Sequence, residues 1–264
     1  MQERHINRQK YFDEQVYTTQ KYVVPFVGEF LKINSGINVL EIGCGEAGNL
    51  QPFLDLGCNV TGIDLSEGKI ENGKAFYANH PNKKNLTLIA QDIYKIGDEF
   101  NQHFDLIIMR DTIEHIPDQE VFMGFVKKFL KPDGLFFLGF PPWQSPFGGH
   151  QQVCSNKFLS VLPYFHLLPD FLYVGILKLF GESAATIQGL MEIKATGISI
   201  ERFKRIIKKE NYTVNKVINY FINPNYEIKF KLQPRKQLGL LSSIPVLRNF
   251  TITACYYLIS FKKK

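Results

Sequence analysis

Three glycines and one carboxylate of this sequence are spaced in a way that suits nucleoside binding. Gly43, Gly45 and Gly48 have the G-x-G-x-x-G spacing, and glycines at these positions let a backbone turn tightly and approach a ligand closely. Asp64 follows Gly43 by 21 residues, and a carboxylate at this place can accept hydrogen bonds from both hydroxyls of a ribose. The glycine spacing alone is a weak signal, but together with the acidic residue it predicts a cofactor that contains a nucleoside.

Two further carboxylates bear on which cofactor this loop would bind. A nicotinamide or flavin cofactor would place its pyrophosphate at the loop, where a helix N-terminus favours negative charge. Glu41 precedes the glycines and Glu46 lies among them. Both would repel a pyrophosphate, whereas they suit a ligand that carries an ammonium and a sulfonium. The charges therefore favour S-adenosylmethionine, and an NAD-linked oxidoreductase is the alternative.

The elements that must position these residues alternate between strands and helices. Five apolar, β-prone runs predict strands at 38–42, 59–63, 86–90, 104–109 and 135–140. Helical patterns are found at 7–32, 48–56, 66–78, 118–130 and 199–209, with Ser66 and Asp118 as expected N-caps and Pro25 as a break in the first region. This order predicts right-handed βαβ units and a doubly wound, mostly parallel α/β sheet. Two later β-rich runs occupy 212–222 and 250–261.

The ordered motifs resemble those of the class I S-adenosylmethionine-dependent methyltransferases. The similar segments are Glu41-Ile-Gly-Cys-Gly45, Gly62-Ile-Asp-Leu-Ser66, Ala90-Gln-Asp-Ile93, the run from Phe104 to Ile116, and Leu130-Lys-Pro-Asp-Gly134. The sequence is similar in particular to the group that includes ubiquinone-biosynthesis O-methyltransferases. The resemblance implies a seven-stranded Rossmann-like sheet in which the last two β-rich runs are strands six and seven, the seventh antiparallel.

The resemblance also implies which residues contact the cofactor. Backbone of the glycine loop would line the methionine part, Glu41 would hold the ammonium through water, and Asp64 would bind the ribose. Leu65 would pack on the adenine, and Asp92 and Ile93 would contact its edge, although Asp92 could instead only cap a turn. Arg110 would face the sulfonium and substrate, together with Asp111. The implied cofactor-binding set is Glu41, Gly43, Cys44, Gly45, Asp64, Leu65, Asp92, Ile93 and Arg110.

Methyl transfer to a hydroxyl needs a group that takes up a proton, because the cofactor itself supplies the electrophile. The candidates are Asp111, His115 and His150, although each histidine could instead be an ordinary structural residue. No metal is expected, because the six histidines are scattered and no H-E-x-x-H occurs. The Phe140-Pro-Pro-Trp143 segment follows strand five and differs in position from the tetrad of nucleic-acid amino-methyltransferases. Trp143 is expected in either the pocket wall or the core.

The chain is expected to comprise an N-terminal helical cap (1–36), a methyltransferase domain (37–152 and 198–264) and an inserted helical lid (153–197). Sixteen of the 23 residues in 158–180 are apolar or aromatic, but two prolines, an aspartate and a lysine interrupt any membrane span. The lid could pack against the main domain or a second subunit, so both a monomer and a homodimer stay open. It could also bind an acceptor with a large apolar part, or contact a membrane surface weakly.

The composition fits a folded enzyme in a reducing compartment. Of the 264 residues, 45% are apolar and 21% are charged, and the net charge is +6 without an arginine-rich run, so no nucleic-acid partner is expected. The four cysteines form no C-x-x-C pair, and a cytoplasmic location is expected. We predict an S-adenosylmethionine-dependent methyltransferase that acts on a small molecule and releases S-adenosylhomocysteine, with oxygen slightly favoured as the acceptor atom. A methyltransferase-like binding module without turnover is the non-enzyme alternative.

Overall fold

The computed structural model describes residues 7–261 and folds them around one mixed sheet. The strands occur in the order β3-β2-β1-β4-β5-β8-β6-β7. Their bounds are β1 (Asn38–Ile42), β2 (Asn59–Asp64), β3 (Leu86–Ala90), β4 (Phe104–Arg110), β5 (Leu130–Phe140), β6 (Thr213–Ile222), β7 (Arg235–Lys236) and β8 (Ala254–Ser260). The predicted α/β class with a doubly wound, mostly parallel sheet is confirmed.

The first five strands are parallel, as the alternation of strands and helices predicts. The register pairs Glu41 of β1 with Ile108 of β4. Two residues further along each strand, Gly43 and Arg110 therefore lie level at the carboxyl edge of the sheet, where ligands of open α/β sheets bind.

The antiparallel half of the sheet differs from the prediction in two details. The last long strand, β8, is antiparallel to β5 and β6 as expected, but it begins at Ala254, because the residues before it form a short helix and a turn. An eighth strand, β7, has only two residues and pairs with the edge of β6. The prediction of seven strands is therefore wrong by one, since a two-residue polar strand has no alternating apolar pattern.

The helices cover both faces of the sheet. Their bounds are α1 (Arg8–Thr18), α2 (Val24–Gly28), α3 (Gln51–Asp55), α4 (Glu67–Phe76), α5 (Gln119–Val126), α6 (Lys157–Val161), α7 (Asp170–Leu179), α8 (Ala184–Thr196), α9 (Ile200–Lys209), α10 (Asn225–Phe230), α11 (Gly239–Ser243) and α12 (Leu247–Phe250). A π-helical turn at Thr19–Val23 joins α1 to α2, which has Pro25 in its first turn. Residues 1–6 of the predicted cap lie outside the described residues.

Two local predictions around α5 and β5 are wrong. Asp118 occupies the N-cap position of α5, but its φ of 54° is left-handed and its side chain accepts no capping hydrogen bond. Strand five is predicted to begin at residue 135, but β5 begins at Leu130 and includes Pro132-Asp133-Gly134. The register with β4 shifts here, because Phe104 pairs with Leu130 and Leu106 with Leu135, so the extra residues form an irregularity within β5.

The apolar core has one cluster on each face of the sheet and a third in the inserted segment. The buried members of the third cluster are Cys154, Leu159, Phe165, Tyr173, Leu177 and Leu190. Part of the apolar run at 158–180 therefore packs on itself and on α8, whereas other apolar side chains of the run, among them Phe171 and Leu179, are exposed. Within residues 7–261, no helix has the length and apolar character needed to cross a membrane.

Candidate cofactor and acceptor site

A cavity of about 770 Å³ lies at the carboxyl edge of the parallel strands. Its walls come from the strand ends, from α1 and from the segments that follow β5 and β6. Among the predicted site residues, Glu41 does not line it, and those that do are Gly43, Cys44, Gly45, Asp64, Leu65, Asp92, Ile93, Arg110, Asp111, His115 and His150. The fold thus brings together residues from four strand ends, while their individual roles stay predictions.

The glycine loop needs its glycines for three different reasons. A Cβ added at Gly43 would lie 2.4 Å from Thr112 Cγ2, and φ at Gly43 is +73°. Gly45 also has a left-handed φ, +57°, but its Cβ would meet only Lys69 Cδ at 3.9 Å, so the space beside it is open. A Cβ at Gly48 would lie 2.7 Å from the carbonyl oxygen of Phe12 in α1. The loop is therefore a turn with an open cradle at Gly45 and close helix packing at Gly48.

Asp64 connects the end of β2 to this loop. Its Oδ2 accepts a hydrogen bond from the Gly45 backbone N–H at 2.8 Å, and its Oδ1 accepts one from the Ser66 N–H, also at 2.8 Å. Each carboxylate oxygen can accept more than one hydrogen bond, and Asp64 lines the cavity. The side chain can therefore hold the loop and still accept hydrogen bonds from two ribose hydroxyls.

The adenine side of the predicted site lies at the end of β3. Asp92 Oδ1 accepts from the Tyr94 N–H at 3.0 Å, so this carboxylate caps a turn while also lining the cavity. Ile93 is buried next to it, and Leu65 is 78% exposed at the cavity rim. An apolar side chain that is exposed at the rim is available to cover a flat base.

The two glutamates of the loop lie in different surroundings from those predicted. Glu46 is fully buried and forms an ion pair with Arg8 of α1, with Nη2 and Oε2 2.5 Å apart. Glu41 is buried behind the loop, where its Oε1 accepts from Asn49 Nδ2 at 2.5 Å and its Oε2 has no partner. Burial raises the pKa of Glu41 to about 8. Neither side chain presents a free negative charge to the cavity, so the argument that both repel a pyrophosphate is wrong.

The candidate proton acceptors meet on the other side of the cavity. His150 Nε2 lies 3.5 Å from Glu114 Oε1, and the rings of His150 and His115 have centroids 4.9 Å apart. Glu114 is buried, and neither of its carboxylate oxygens has a hydrogen-bond partner. Burial raises the pKa of Glu114 and lowers that of His115 to about 4. His115 is therefore neutral near pH 7, and Asp111 adds a carboxylate at the same edge.

The same three side chains offer atoms of the kinds that bind metals. One ligand atom from each of Glu114, His115 and His150 lies within 4.8 Å of the others. The spacing of residues in the sequence did not predict this proximity, because His150 is far from the other two along the chain. That no metal is bound stays a prediction.

Several residues of the site carried no signal in the sequence. Arg8, Tyr11 and Gln15 of α1 line the cavity, so the N-terminal cap is one of its walls. Asn225, Tyr226 and Lys229 of α10, with Asn223 and Thr253 nearby, form a polar wall. These residues come from opposite ends of the chain, and they meet at the cavity because α1 packs against α10.

The inserted segment (153–197) contributes little to the lining of the cavity. Val153, the first residue of the inserted segment, lines the cavity, whereas no residue of 158–180 does. The Tyr164 N–H donates to the Pro146 carbonyl at 2.8 Å, and His166 Nε2 lies 2.7 Å from the Trp143 carbonyl oxygen. Trp143 packs against His166 outside the cavity. The segment therefore braces the loop that carries His150 and does not itself form the acceptor wall.

One family model matches more than half of this chain. Residues 13–155 match the methyltransferase domain family. Ubiquinone biosynthesis O-methyltransferase of Bartonella bacilliformis is 32% identical over 106 residues, which are 39% of this chain and 41% of that protein. Sterol 4-C-methyltransferase of Caenorhabditis elegans is 27% identical over 42% of this chain and 33% of that protein. The chain thus matches well under half the length of these curated relatives.

Solved structures share the fold across most of the chain. A putative sarcosine dimethylglycine methyltransferase from Galdieria sulphuraria has a TM-score of 0.59 at 12% identity, covering 92% of this chain and 85% of its own. Geranyl diphosphate C-methyltransferase from Streptomyces coelicolor has a TM-score of 0.54 at 12% identity, covering 91% and 80%. Because the sequence identity is so low, these similarities establish the fold alone.

Proposed function

The chain belongs to the methyltransferase domain family, and on this basis we propose that it transfers a methyl group from S-adenosylmethionine to a small-molecule acceptor. One observation carries the proposal. The carboxylate of Asp64 and the open cradle at Gly45 lie in the same cavity as His150, so a nucleoside site and a basic side chain face one space. Glu41 and Glu46 present no free charge to the cavity, so the choice of S-adenosylmethionine over NAD is based on the family.

The residues at the strand ends fit this cofactor. When bound, S-adenosylmethionine supplies a methyl group on a sulfonium, which is the electrophile. Asp64 would accept hydrogen bonds from the ribose, and Leu65, Asp92 and Ile93 would contact the adenine. The Gly45 cradle leaves room for a ligand that a Cβ would exclude. The chain's contribution is to bind the cofactor, orient the acceptor and keep water out.

We infer that the acceptor atom is oxygen and that His150 takes up its proton. One ring nitrogen of His150 faces the buried Glu114, which leaves the other nitrogen for the acceptor hydroxyl. Glu114 would stabilise the positive charge that forms on His150, as a carboxylate beside an imidazole does. The name of the Bartonella relative, an O-methyltransferase, supports oxygen as the acceptor atom. The polar wall from α10 is suited to the polar part of that acceptor.

Calorimetric titration of the purified chain tests the cofactor assignment. We expect binding of S-adenosylmethionine and S-adenosylhomocysteine, and none of NAD. An Asp98→Ala variant should bind the cofactor as the parent does, because Asp98 is exposed and does not line the cavity. Binding of NAD without binding of either adenosyl compound would refute the methyltransferase proposal in favour of an oxidoreductase. Cofactor binding without turnover on any acceptor would favour the binding module.

Transfer of a labelled methyl group to a panel of phenols and alcohols tests the role of His150. His150→Gln should lower the rate of transfer by roughly 100-fold or more, the usual contribution of a general base. Its affinity for S-adenosylhomocysteine should match that of the parent chain. An unchanged rate in His150→Gln would remove the proposed proton acceptor. The cytoplasmic location and the oligomeric state stay predictions.

A further inference from the structure

Helix α7 of the inserted segment is apolar on two opposite sides. On one side, Tyr173 and Leu177 are buried in the third apolar cluster. On the other side, Phe171 is 75% exposed and Leu179 is 81% exposed, and their spacing of eight residues places them on one face of the helix. A helix at the surface of a domain needs only one apolar side for its own packing, so the second side indicates a partner outside the fold.

The exposed apolar side chains continue from α7 to α12. The rings of Phe180 and Phe158 stack with their centroids 6.0 Å apart, and Val161 lies one helical turn beyond Phe158 in α6. The Tyr164 hydroxyl then donates to the Phe250 carbonyl oxygen at 2.7 Å, and the two rings have centroids 6.3 Å apart. Seven large apolar side chains of 158–180 and five of 238–247 are exposed. We call these twelve side chains the apolar strip.

The charges beside the apolar strip are mostly positive. Residues 228–250 contain five lysines and arginines and no aspartate or glutamate, and Arg235 and Lys236 of β7 are exposed there. In 153–181 the only acidic residue is Asp170, which pairs with a lysine of α8. An apolar surface with cations beside it complements an anionic lipid bilayer, because the headgroups attract the cations while the acyl boundary accepts the apolar side chains.

A second copy of the chain complements this surface less well than a bilayer does. A symmetric dimer would place the same surface against itself, so that cations would face cations. The carboxylates of Asp170 and Glu201 do not offset this charge, because they are already paired with Lys194 and Arg248. A bilayer supplies negative charge from outside the chain.

From these observations we propose that the apolar strip docks the chain on an anionic phospholipid bilayer. The apolar side chains enter the boundary between headgroups and acyl chains, and Arg235 and Lys236 contact the phosphates. The Tyr164 N–H and His166 contact the loop that carries His150, so docking holds this side of the cavity close to the bilayer. The proposal goes beyond methyl transfer and does not depend on it.

Sedimentation with lipid vesicles tests the proposal. One set of vesicles consists of phosphatidylcholine alone, and the other of equal parts of phosphatidylcholine and phosphatidylglycerol. The parent chain should bind the anionic vesicles at least about 30-fold more tightly, the contribution of two cations at an anionic surface. Higher salt should weaken this binding, because it screens the attraction.

One pair of variants tests the apolar contribution. Phe171→Ser and Leu179→Ser should fold as the parent does, since both side chains are exposed. Each should bind the anionic vesicles about tenfold or more weakly, because an apolar side chain no longer leaves water. Leu56→Ser is the matched control: Leu56 is 49% exposed and lies just before β2, at the amino edge of the sheet. It should bind vesicles as the parent does.

A second pair tests the charge contribution. The double variant Arg235→Gln and Lys236→Gln should bind the anionic vesicles about 30-fold more weakly and leave binding to phosphatidylcholine unchanged. The control is Lys83→Gln with Lys84→Gln, because these two exposed lysines precede β3 at the amino edge of the sheet. This control should keep the parental preference for anionic vesicles.

The proposal is wrong if the parent binds neither set of vesicles, or binds both sets equally. It is also wrong if the parent binds anionic vesicles but the serine and glutamine variants bind them as the parent does, since another surface then contacts the bilayer. A parent that is dimeric by light scattering, with monomeric Phe171→Ser and Leu179→Ser variants, would instead make the apolar strip a subunit interface. All these variants should keep the parental affinity for S-adenosylhomocysteine, so a failure here leaves the cofactor assignment standing.

Discussion

Replacing Asp64 by alanine should weaken cofactor binding more than it weakens the fold. The carboxylate is the proposed acceptor for two ribose hydroxyls, and a hydrogen bond to a charged group contributes about 1.5–3 kcal/mol. Asp64→Ala should therefore lower the affinity for S-adenosylhomocysteine about 10- to 150-fold. Asp64→Asn should lose less, because its amide oxygen still accepts one hydrogen bond.

The variant also removes the acceptor for two backbone N–H groups, those of Gly45 and Ser66. Asp64 is half-buried, so water can replace part of this interaction. The free energy of unfolding should fall by about 1–3 kcal/mol, which urea denaturation can measure. Titrations must therefore be made where the variant is folded, so that the loss of affinity reports on the ligand contact.

A second ligand separates the ribose contact from the effect on the loop. The 2′-deoxy analogue of S-adenosylhomocysteine lacks one of the hydroxyls that Asp64 would bind. The parent should bind this analogue more weakly than S-adenosylhomocysteine, and Asp64→Ala should bind the two nearly equally. The exposed Asp98→Ala control should behave as the parent does. If folded Asp64→Ala keeps the parental affinity and the parental preference, the ribose assignment at the end of β2 is wrong.

Three other perturbations test separate parts of the site. Gly45→Val should abolish S-adenosylhomocysteine binding in a chain that still folds, since the added side chain enters open space beside the loop and its left-handed φ costs about 1–2 kcal/mol; normal affinity by calorimetry would contradict the cradle. Burial raises the folded-state pKa of Glu41 to about 8, above the unfolded value, so its contribution to stability is complete below pH 4 and is lost as pH rises through 8. The free energy of unfolding of Glu41→Gln, relative to that of the parent, should therefore increase between pH 5 and 8 by on the order of 3 kcal/mol in urea denaturation. A relative stability that does not change with pH would refute the raised pKa of Glu41. Replacing residues 158–180 by a short Gly/Ser linker should keep S-adenosylhomocysteine affinity within a few-fold but cut methyl transfer severely, and a folded variant with the parental rate would disprove the bracing role.

The parallel half of the sheet was predictable because its signals are local. Each of the first five strands contains a short β-prone run, the glycine loop follows β1 directly, and Asp64 is the last residue of β2. Motif order along the chain then fixes which residues share the carboxyl edge. The strand ends at Asp64, Asp92 and Arg110 could thus be placed in one site without knowledge of any side-chain contact.

The rest of the site depends on contacts between distant residues. The pairing of Arg8 with Glu46 neutralises a charge that looked free in the sequence. The approach of His150 to Glu114, and of Thr19 to Arg110, links segments that no periodic pattern relates. Such contacts are set by packing between elements and leave no trace in local spacing.

A crystal structure of the chain with bound S-adenosylhomocysteine tests the central claim most directly. The account predicts that the ligand lies across the carboxyl edge of β3, β2, β1 and β4. Its ribose hydroxyls should be within hydrogen-bond distance of Asp64, and its sulfur should face the side of the cavity that holds His150. Density for the ligand at another place, or a cavity that stays empty at saturating ligand, would contradict the account.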